Sequence, residues 1–147
     1  MSLKKYTIGN AIIDLVSAHR LITTSKISKL GLHAGQDMVL LSLLEKNGQS
    51  QNELVQQLVV THSAIAKSVA RMKRKDIVST QKSTLDKRIT LVYLTDKGRT
   101  LALEVQKIWE NVEEIAFLKL NSQDKADFLR ISAAIQHNFE ENAKKDL

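Results

Sequence analysis

The side chains with the clearest chemical potential are cationic and lie close together in the middle of the chain. Between positions 61 and 100, ten lysine or arginine side chains accompany only three aspartates, a surplus of +7, whereas the rest of the chain carries −1. The net charge of the 147-residue chain is +6, so its positive charge is concentrated in one segment. This pattern predicts a surface that binds a polyanion, and nucleic acid is the leading partner. A solvated charged face is the alternative interpretation of the charge alone.

Catalytic and metal-binding chemistry find little support in the residue types. The chain has no cysteine, which excludes disulfides, thiolate metal sites and a cysteine-based redox switch. The four histidines lack the spacing of metal ligands, so we expect no metal site. The motifs G-x-x-x-x-G-K, H-E-x-x-H and G-x-S-x-G do not occur. We therefore expect neither an enzyme nor a bound cofactor.

A helix predicted to follow Thr61 would present part of this charge. Thr61 can cap the helix, which runs to about position 75, and helical periodicity makes one side of it apolar. The opposite side carries His62, Ser63, Ala66, Lys67, Ala70 and Arg74. Small residues near its start would allow close approach to base edges in a major groove, and the later cations would reach phosphates. An ordinary amphipathic surface helix is the alternative, but it does not explain the short helix at 51–58 and the tight turn that come directly before.

A basic turn comes directly before the second of two predicted strands. Residues 77–81 and 89–94 can pair as a hairpin whose tip reads KSTLDKR. Alternation along the second strand predicts that Ile89 points toward the core and that Arg88 points away from it. A basic hairpin after a helix-turn-helix is a wing that can follow the phosphates or enter the minor groove. Asp86 would fix the tip by accepting hydrogen bonds or by pairing with a basic side chain.

The remaining pattern is helical, so the fold class is mainly α with a small β-hairpin. A first helix is predicted at 6–22, ended by the polar stretch TTSKISKLGLHAG, and a second one runs through 38–46. Ser50 and Glu53 form a capping box at the start of the third helix. Two C-terminal helices, at about 96–119 and 123–141, carry long apolar stripes that we expect to pack against a second copy of the chain. A monomer that folds these helices onto its own core is the alternative.

The location is predicted from what the sequence lacks. No run of about 18 apolar residues is available for a membrane span. The N-terminal stretch MSLKKYTIGN lacks the apolar core of a signal peptide. We expect a cytoplasmic protein with no membrane partner.

Three segments resemble a known family. The strings GLHAGQDMVLLSLL, SQNELVQQLVVTHSAIAKSVARMKRKDIV and DKRITLVYLTDKGRTL are similar to the winged helix-turn-helix core of the MarR (multiple antibiotic resistance regulator) family over about 31–101. The pattern D-x-R-x-x-x-x-x-L-T-x-x-G is met by Asp86, Arg88, Leu94, Thr95 and Gly98. The resemblance implies a dimeric bacterial transcription regulator, often a repressor that leaves its operator when a small molecule binds. The chain departs from the family at Leu32-His33, where Leu-Thr is common, and at Asp76, where glycine is common.

Residues and resemblance together predict one domain over 1–147. Its winged helix-turn-helix core at 31–101 is flanked by dimerisation helices at 6–22 and 102–143. The predicted partners are a palindromic operator in double-stranded DNA, a second copy of the chain and a possible small-molecule effector. A winged-helix module that binds an acidic protein, or a non-specific nucleoid-type DNA binder, is the alternative function. The predicted DNA-binding residues are Ser50, Gln51, Thr61, His62, Ser63, Ala66, Lys67, Arg71, Arg74, Lys87 and Arg88, with Asp86 structuring the wing.

Overall fold

The computed structural model describes residues 6–145, so residues 1–5, which open the stretch MSLKKYTIGN, and 146–147 lie outside it. Contacts within the chain separate two compact units, the first ending at Val112 and the second beginning at Glu113. The helices of the described residues are α1 (Thr7–Ser28), α2 (Gln36–Glu45), α3 (Gln51–Leu58), α4 (His62–Arg74), α5 (Asp96–Ala116) and α6 (Ser122–Ala143). The strands are β1 (Gln49–Ser50), β2 (Val78–Lys82) and β3 (Thr90–Leu94).

The strands of the first unit form one antiparallel sheet in the order β1-β3-β2. β2 and β3 make the predicted hairpin, with Val78 opposite Leu94 and Lys82 opposite Thr90. β1 was not predicted, because two residues are too few to produce an alternating pattern. It is defined by its pairing with β3, where Gln49 lies opposite Val92.

The core of the first unit collects apolar side chains from every element around the sheet. Fully buried members come from α2, α3, α4, β3 and α5, so these elements are held in one arrangement by shared packing. They include Val39, Leu40, Leu43, Leu54, Met72, Val92 and Val105. A buried leucine or valine of this kind contributes about 1.5–3 kcal/mol relative to an exposed one. The core therefore positions α3, α4 and the hairpin relative to one another.

Side-chain caps fix where α3 and α4 begin, as predicted. Ser50 Oγ accepts from the Glu53 amide at 3.2 Å, and Glu53 Oε2 accepts from the Ser50 amide at 2.7 Å. Thr61 Oγ1 accepts from the Ala64 amide at 3.1 Å. Val59, in the turn between the helices, has a φ of +52°, which is a left-handed conformation that β-branched residues rarely adopt. The turn is thus short and conformationally constrained.

The first helix is longer than predicted. The polar stretch that was expected to end it is helical up to Ser28, because Thr23 and Ile27 continue the buried side of α1 with a four-residue spacing. The Thr23 hydroxyl donates to the His19 carbonyl at 2.7 Å, so its polar atom is satisfied inside the helix. The prediction was wrong because the stretch is mostly polar, and only Thr23 and Ile27 continue the buried side.

The inward face of β3 was assigned wrongly. Val92 is fully buried, whereas Ile89, which was predicted to point to the core, is 42% exposed. Ile89 precedes the strand and belongs to the hairpin tip, where its amide donates to the Asp86 carbonyl at 3.0 Å. Ile89 alternates with Leu91 and Tyr93 on the side opposite to Val92, so the error lay in the choice of the inward face.

The apolar stripe of α5 is also used differently from the prediction. Val105 and Val112 are buried within the first unit, and Leu101, Ile108 and Trp109 pack partly against its core. These residues are therefore occupied within the chain and are not available to a second copy. The prediction had assigned the whole stripe to a dimer interface.

The second unit consists of the end of α5 and the helix α6. Asn121 and Asp124 form a capping box at the start of α6. The Phe117 and Phe128 rings meet edge to face with centroids 5.9 Å apart. No residue of α6 is buried, and Ile131 and Phe139 are among its exposed apolar side chains. Across residues 6–145, no helix is both long and apolar enough to cross a membrane.

Candidate nucleic-acid interface

The exposed side of α4 has the composition predicted for a recognition helix. Ile65, Val69 and Met72 are buried, which fixes the rotation of the helix about its axis. The other side is solvent-exposed and carries His62, Ser63, Ala66, Lys67, Ala70, Arg71 and Arg74. Its first turn holds no acidic residue, whereas its last turn holds Arg71, Lys73 and Arg74. The helix thus offers short side chains at its N-terminus and cations farther along.

The wing tip is an ordered turn centred on Asp86. Asp86 Oδ1 accepts from the Arg88 amide at 3.0 Å and from Arg88 Nε at 3.1 Å, while Oδ2 lies 3.0 Å from Arg88 Nη2. Ser83 Oγ accepts from the Leu85 amide at 3.2 Å. The Arg88 guanidinium and its amide hold the pKa of Asp86 below its usual range. Asp86 therefore has the tip-fixing contacts that were predicted for it.

Arg88 forms an ion pair with Asp86 and is still accessible to solvent. Its side chain is 91% exposed despite the contact with Asp86, so the other face of the guanidinium is open to solvent. An exposed pair of this kind is weak because water screens both charges. The open face of Arg88 is consequently accessible to a phosphate or a base edge.

Hydrogen bonds join the wing to α4 and α5. Lys73 Nζ, on α4, donates to Thr80 Oγ1 of β2 at 2.6 Å. The Thr95 hydroxyl donates to the Asp76 carbonyl at 2.6 Å and accepts from the Gly98 amide at 3.0 Å. Asp76, at the position where the MarR family commonly has glycine, adopts a left-handed φ of +56°. The start of α5 is therefore anchored to the turn that connects α4 with the wing.

The predicted site residues lie on three elements of the first unit. Ser50 and Gln51 begin α3, the larger group from Thr61 to Arg74 follows α4, and Lys87 and Arg88 lie at the wing tip. α4 packs against both α3 and β2, which keeps the three groups in a fixed relation. The Ser50 hydroxyl is engaged in the capping box, so it is the least free of the set. DNA contact by each of these residues is still a prediction.

Sequence reasoning assigned no site role to three residues that the structure makes conspicuous. Leu85 at the wing tip is 98% exposed beside the cations, and a turn position with an apolar side chain was the available signal. Asp37 is buried and accepts a hydrogen bond from Trp109 Nε1 at 3.1 Å. These two residues are 72 positions apart, so no local pattern could have connected them. Among the described residues, no group of three His, Cys, Asp or Glu is arranged to hold a metal ion.

Comparisons with known proteins agree with this geometry. Residues 32–98 match the model of a family described as a winged helix DNA-binding domain. The HTH-type transcriptional regulator MgrA of Staphylococcus aureus is 25% identical over 128 residues, which is 86% of this chain and 85% of MgrA. The segment that matches the family model, residues 32–98, contains α2 to β3 and the start of α5, the elements that carry the candidate interface.

Two solved structures extend the match through the flanking helices. A MarR transcriptional regulator from Methanosarcina mazei has a TM-score of 0.77 and 26% identity, covering 94% of this chain and 97% of its own. BpsR of Bordetella bronchiseptica, whose DNA binding is regulated by 6-hydroxynicotinic acid, has a TM-score of 0.80 and 22% identity, with 88% and 92% covered. The chain therefore has a winged helix DNA-binding domain and is similar over most of its length to transcription regulators, a MarR regulator among them.

Proposed function

We propose that the protein is a dimeric, sequence-specific repressor in the cytoplasm that leaves its operator when a small molecule binds. The observation that carries the DNA-binding part is the exposed side of α4, where small polar residues precede Lys67, Arg71 and Arg74. Short side chains suit direct contact with base edges, and the cations suit the phosphates on either side. A module that binds an acidic protein would be expected to carry aromatic anchors on this surface, and α4 has none.

Dimerisation is supported by apolar side chains that the single chain leaves exposed. On α1 they include Ile8, Leu15 and Leu21, and on α6 they include Ile131 and Phe139. Only two residues of α1 and none of α6 are buried. Helices of such length with uncovered apolar sides need a partner surface, and a two-fold dimer would also present two recognition helices to a palindromic operator.

A cavity in the first unit is the proposed effector site. It measures about 250 Å³ and lies between α1, α2 and α5; we refer to it as the three-helix cavity. Its lining includes His19, Arg20, Thr23, Asp37, Met38 and Trp109. The regulation of BpsR by 6-hydroxynicotinic acid supports a small-molecule effector by analogy with that protein.

A partly buried polar network provides a route from this cavity to the helix-turn-helix. Ser42, on the same helix as Asp37 and Met38, donates from Oγ to Gln57 Oε1 of α3 at 2.6 Å. Gln49 Nε2 donates to the Ser42 carbonyl at 2.9 Å and to the Lys46 carbonyl at 2.7 Å. A displacement of α2 on ligand binding would therefore be transmitted to α3 and to β1, and through α3 to α4.

The function is tested by recovering fragments of source DNA that the full-length protein retains at moderate salt. We expect a limited set of near-palindromic duplexes whose affinity falls by about 10³ between low and moderately raised salt, because several phosphates are neutralised per protomer. Equal retention of random DNA would support the nucleoid-type alternative instead. A flat salt response would favour binding to an acidic protein.

Effector control is tested on the recovered operator by fluorescence anisotropy in the presence of small aromatic compounds of different charge. We expect at least one class to release the DNA. The response should be lost when the three-helix cavity is filled by Thr23→Phe, with Ser25→Phe as the control, since Ser25 is exposed and does not line the cavity. Release that survives Thr23→Phe would remove the cavity from the mechanism.

A further inference from the structure

The most informative group in the three-helix cavity is the carboxylate of Asp37. Asp37 is only 6% exposed. Its Oδ2 accepts from Trp109 Nε1, and Oδ1 has no hydrogen-bond partner among residues 6–145. No side-chain N or O atom of the non-exposed residues in that range is both inaccessible and without a hydrogen bond, so Oδ1 keeps some solvent access. Asp37 is among the residues that line the three-helix cavity. A nearly buried carboxylate with one oxygen free of hydrogen bonds thus belongs to the wall of a ligand-sized space.

The negative charge of Asp37 is not neutralised by an ion pair. Asp37 takes part in no ion pair in the described chain, and its only side-chain hydrogen bond comes from a neutral indole. Its place in the first turn of α2 offers partial compensation from the helix dipole. A carboxylate removed from water is costly unless it is paired, so a cationic ligand would gain an interaction that solvent does not already supply.

The walls of the cavity suit a cation on an apolar body. The Trp109 ring lines the space and contacts the His19 ring, with centroids 5.3 Å apart and planes inclined at 54°. Indole is the strongest aromatic partner for a cation. The lining is completed by one short side chain, Thr23, and by apolar side chains that include Ile27 and Met38.

Arg20 is the one permanently cationic side chain of the lining. Arg20 is exposed, whereas Asp37 is buried. The charge of Arg20 is therefore screened more strongly by water and salt than that of Asp37. The carboxylate is thus the less screened of the two charges in the lining.

We propose that the three-helix cavity binds a small organic cation, an ammonium group on an apolar or aromatic body, with Asp37 as its counter-charge and Trp109 as its aromatic wall. The volume of about 250 Å³ limits the ligand to a compact molecule. A bound ammonium would take the free Oδ1 of Asp37 and leave the Trp109 indole on Oδ2. The binding chemistry stands on these residues alone, whereas the role of the cation as an effector rests on the proposed function.

The test compares three probes that differ mainly in charge: benzylammonium, benzyl alcohol and benzoate. Isothermal titration calorimetry of each into the full-length protein at neutral pH should give benzylammonium at least about ten-fold tighter than benzyl alcohol, with benzoate weakest. Benzoate binding as tightly as benzylammonium would overturn the proposal on the unmodified protein. This comparison needs no variant that could fail to fold.

The residue assignment is tested with Asp37→Asn, and Asp14→Asn serves as the matched control, since Asp14 is exposed on α1 and does not line the cavity. Asp37→Asn should weaken benzylammonium at least about ten-fold and leave benzyl alcohol unchanged. Asp14→Asn should change neither. Benzylammonium affinity that is unaffected by Asp37→Asn would leave Asp37 only as a brace for Trp109.

The same probes separate this proposal from ligand-controlled release. Benzylammonium that binds through Asp37 without releasing operator DNA would refute effector control and leave the cation site intact. Operator release by benzoate, with no binding of benzylammonium, would refute the cation site and leave effector control intact.

Discussion

Arg88 has two possible partners, the carboxylate of Asp86 within the wing and the DNA outside it. Both nitrogens that face Asp86 lie within 3.1 Å of its oxygens, yet the side chain is 91% exposed. The ion pair raises the pKa of Arg88 further above its already high value, so the guanidinium is permanently charged. Asp86 then acts as a holder that limits the directions in which Arg88 can point. This preorganisation reduces the entropy lost on binding a phosphate or entering a minor groove.

Replacing Arg88 separates the two roles. We expect Arg88→Ala to leave the thermal midpoint nearly unchanged, because the pair is exposed, and to weaken operator affinity at least about ten-fold. Differential scanning fluorimetry and fluorescence anisotropy measure the two quantities. Lys107→Ala is the matched control, an exposed cation on α5 that has no ion-pair partner in the described chain and is not a candidate DNA-binding residue. Loss of stability with unchanged affinity would leave Arg88 as a structural brace.

The N-terminal turn of α4 and its middle should affect DNA binding in different ways. Lys67→Ala removes a charge that carries no sequence information, so we expect similar losses on operator and random duplexes. His62→Ala and Ser63→Ala remove groups near base edges and should change which base pairs are preferred. Affinity measured on a panel of single base-pair variants gives the comparison. Parallel losses on every duplex for all three variants would contradict base reading by α4.

At the level of elements, the predictable parts are those determined by neighbouring residues. The capping box at Ser50 and the cap at Thr61 fixed both helix starts correctly, because capping depends on residues three positions apart. The exposed and buried sides of α4 followed from helical periodicity. Four features depend on contacts with residues far away in the sequence, and periodicity does not identify such contacts. They are the extension of α1, the strand β1, the inward face of β3 and the packing of the α5 stripe.

The Asp37–Trp109 contact shows the same limit within the candidate ligand site. Both residues were visible in the sequence, but their proximity arises from the packing of α2 against α5. From the sequence, Asp37 near the start of a helix is interpreted as an ordinary partner of the helix dipole. Trp109 in an apolar stripe is interpreted as a core residue. A ligand site that is formed by such a tertiary contact could therefore not be predicted from the sequence patterns.

Gly98 allows α5 to approach the strand connection closely. A Cβ at this position would lie 1.9 Å from the Ile77 carbonyl oxygen, a backbone atom that cannot move aside independently. We expect Gly98→Ala to lower the free energy of unfolding by about 2 kcal/mol or more, measured by urea denaturation. Gly9→Ala is the control: its Cβ would meet nothing closer than 4.0 Å, and the change should stabilise α1 slightly. A fully stable Gly98→Ala protein would mean that α5 can shift without loss of packing.

The capping box of α3 should give stability a defined dependence on pH. The Ser50 backbone N–H, and then Lys46, lower the pKa of Glu53 below its ordinary value near 4.5. The contribution of the carboxylate is therefore present above about that pH and is lost as pH falls through the lower folded-state value. Glu53→Gln should destabilise by less than about 1 kcal/mol at neutral pH, and the difference from the unmodified protein should shrink on acidification. Urea titrations at several pH values measure it, with the exposed Glu114→Gln as the control for loss of charge. A difference that grows at low pH would contradict this assignment.

At the scale of the whole molecule, DNA affinity and self-association should depend on each other. The candidate DNA-binding residues belong to the unit that ends at Val112, whereas α6 belongs to the unit that begins at Glu113. The core of the first unit includes no residue from α6, so its winged helix can fold without that helix. A chain that cannot associate would retain one recognition helix and reach only one half-site of an operator.

Removal of α6 tests this dependence. A chain truncated before Gln123 should sediment as a monomer, because the exposed apolar side of α6, including Ile131 and Phe139, would be absent. Operator affinity should fall at least about 100-fold, while affinity for an isolated half-site should change little, because only the linkage between two half-sites is lost. The full-length variant Phe139→Glu is the milder companion and should shift the same two measurements in the same direction without removing the helix. Sedimentation velocity and anisotropy on full and half operators give both readouts. A truncated protein that remains dimeric and binds the full operator normally would place the dimer interface outside α6.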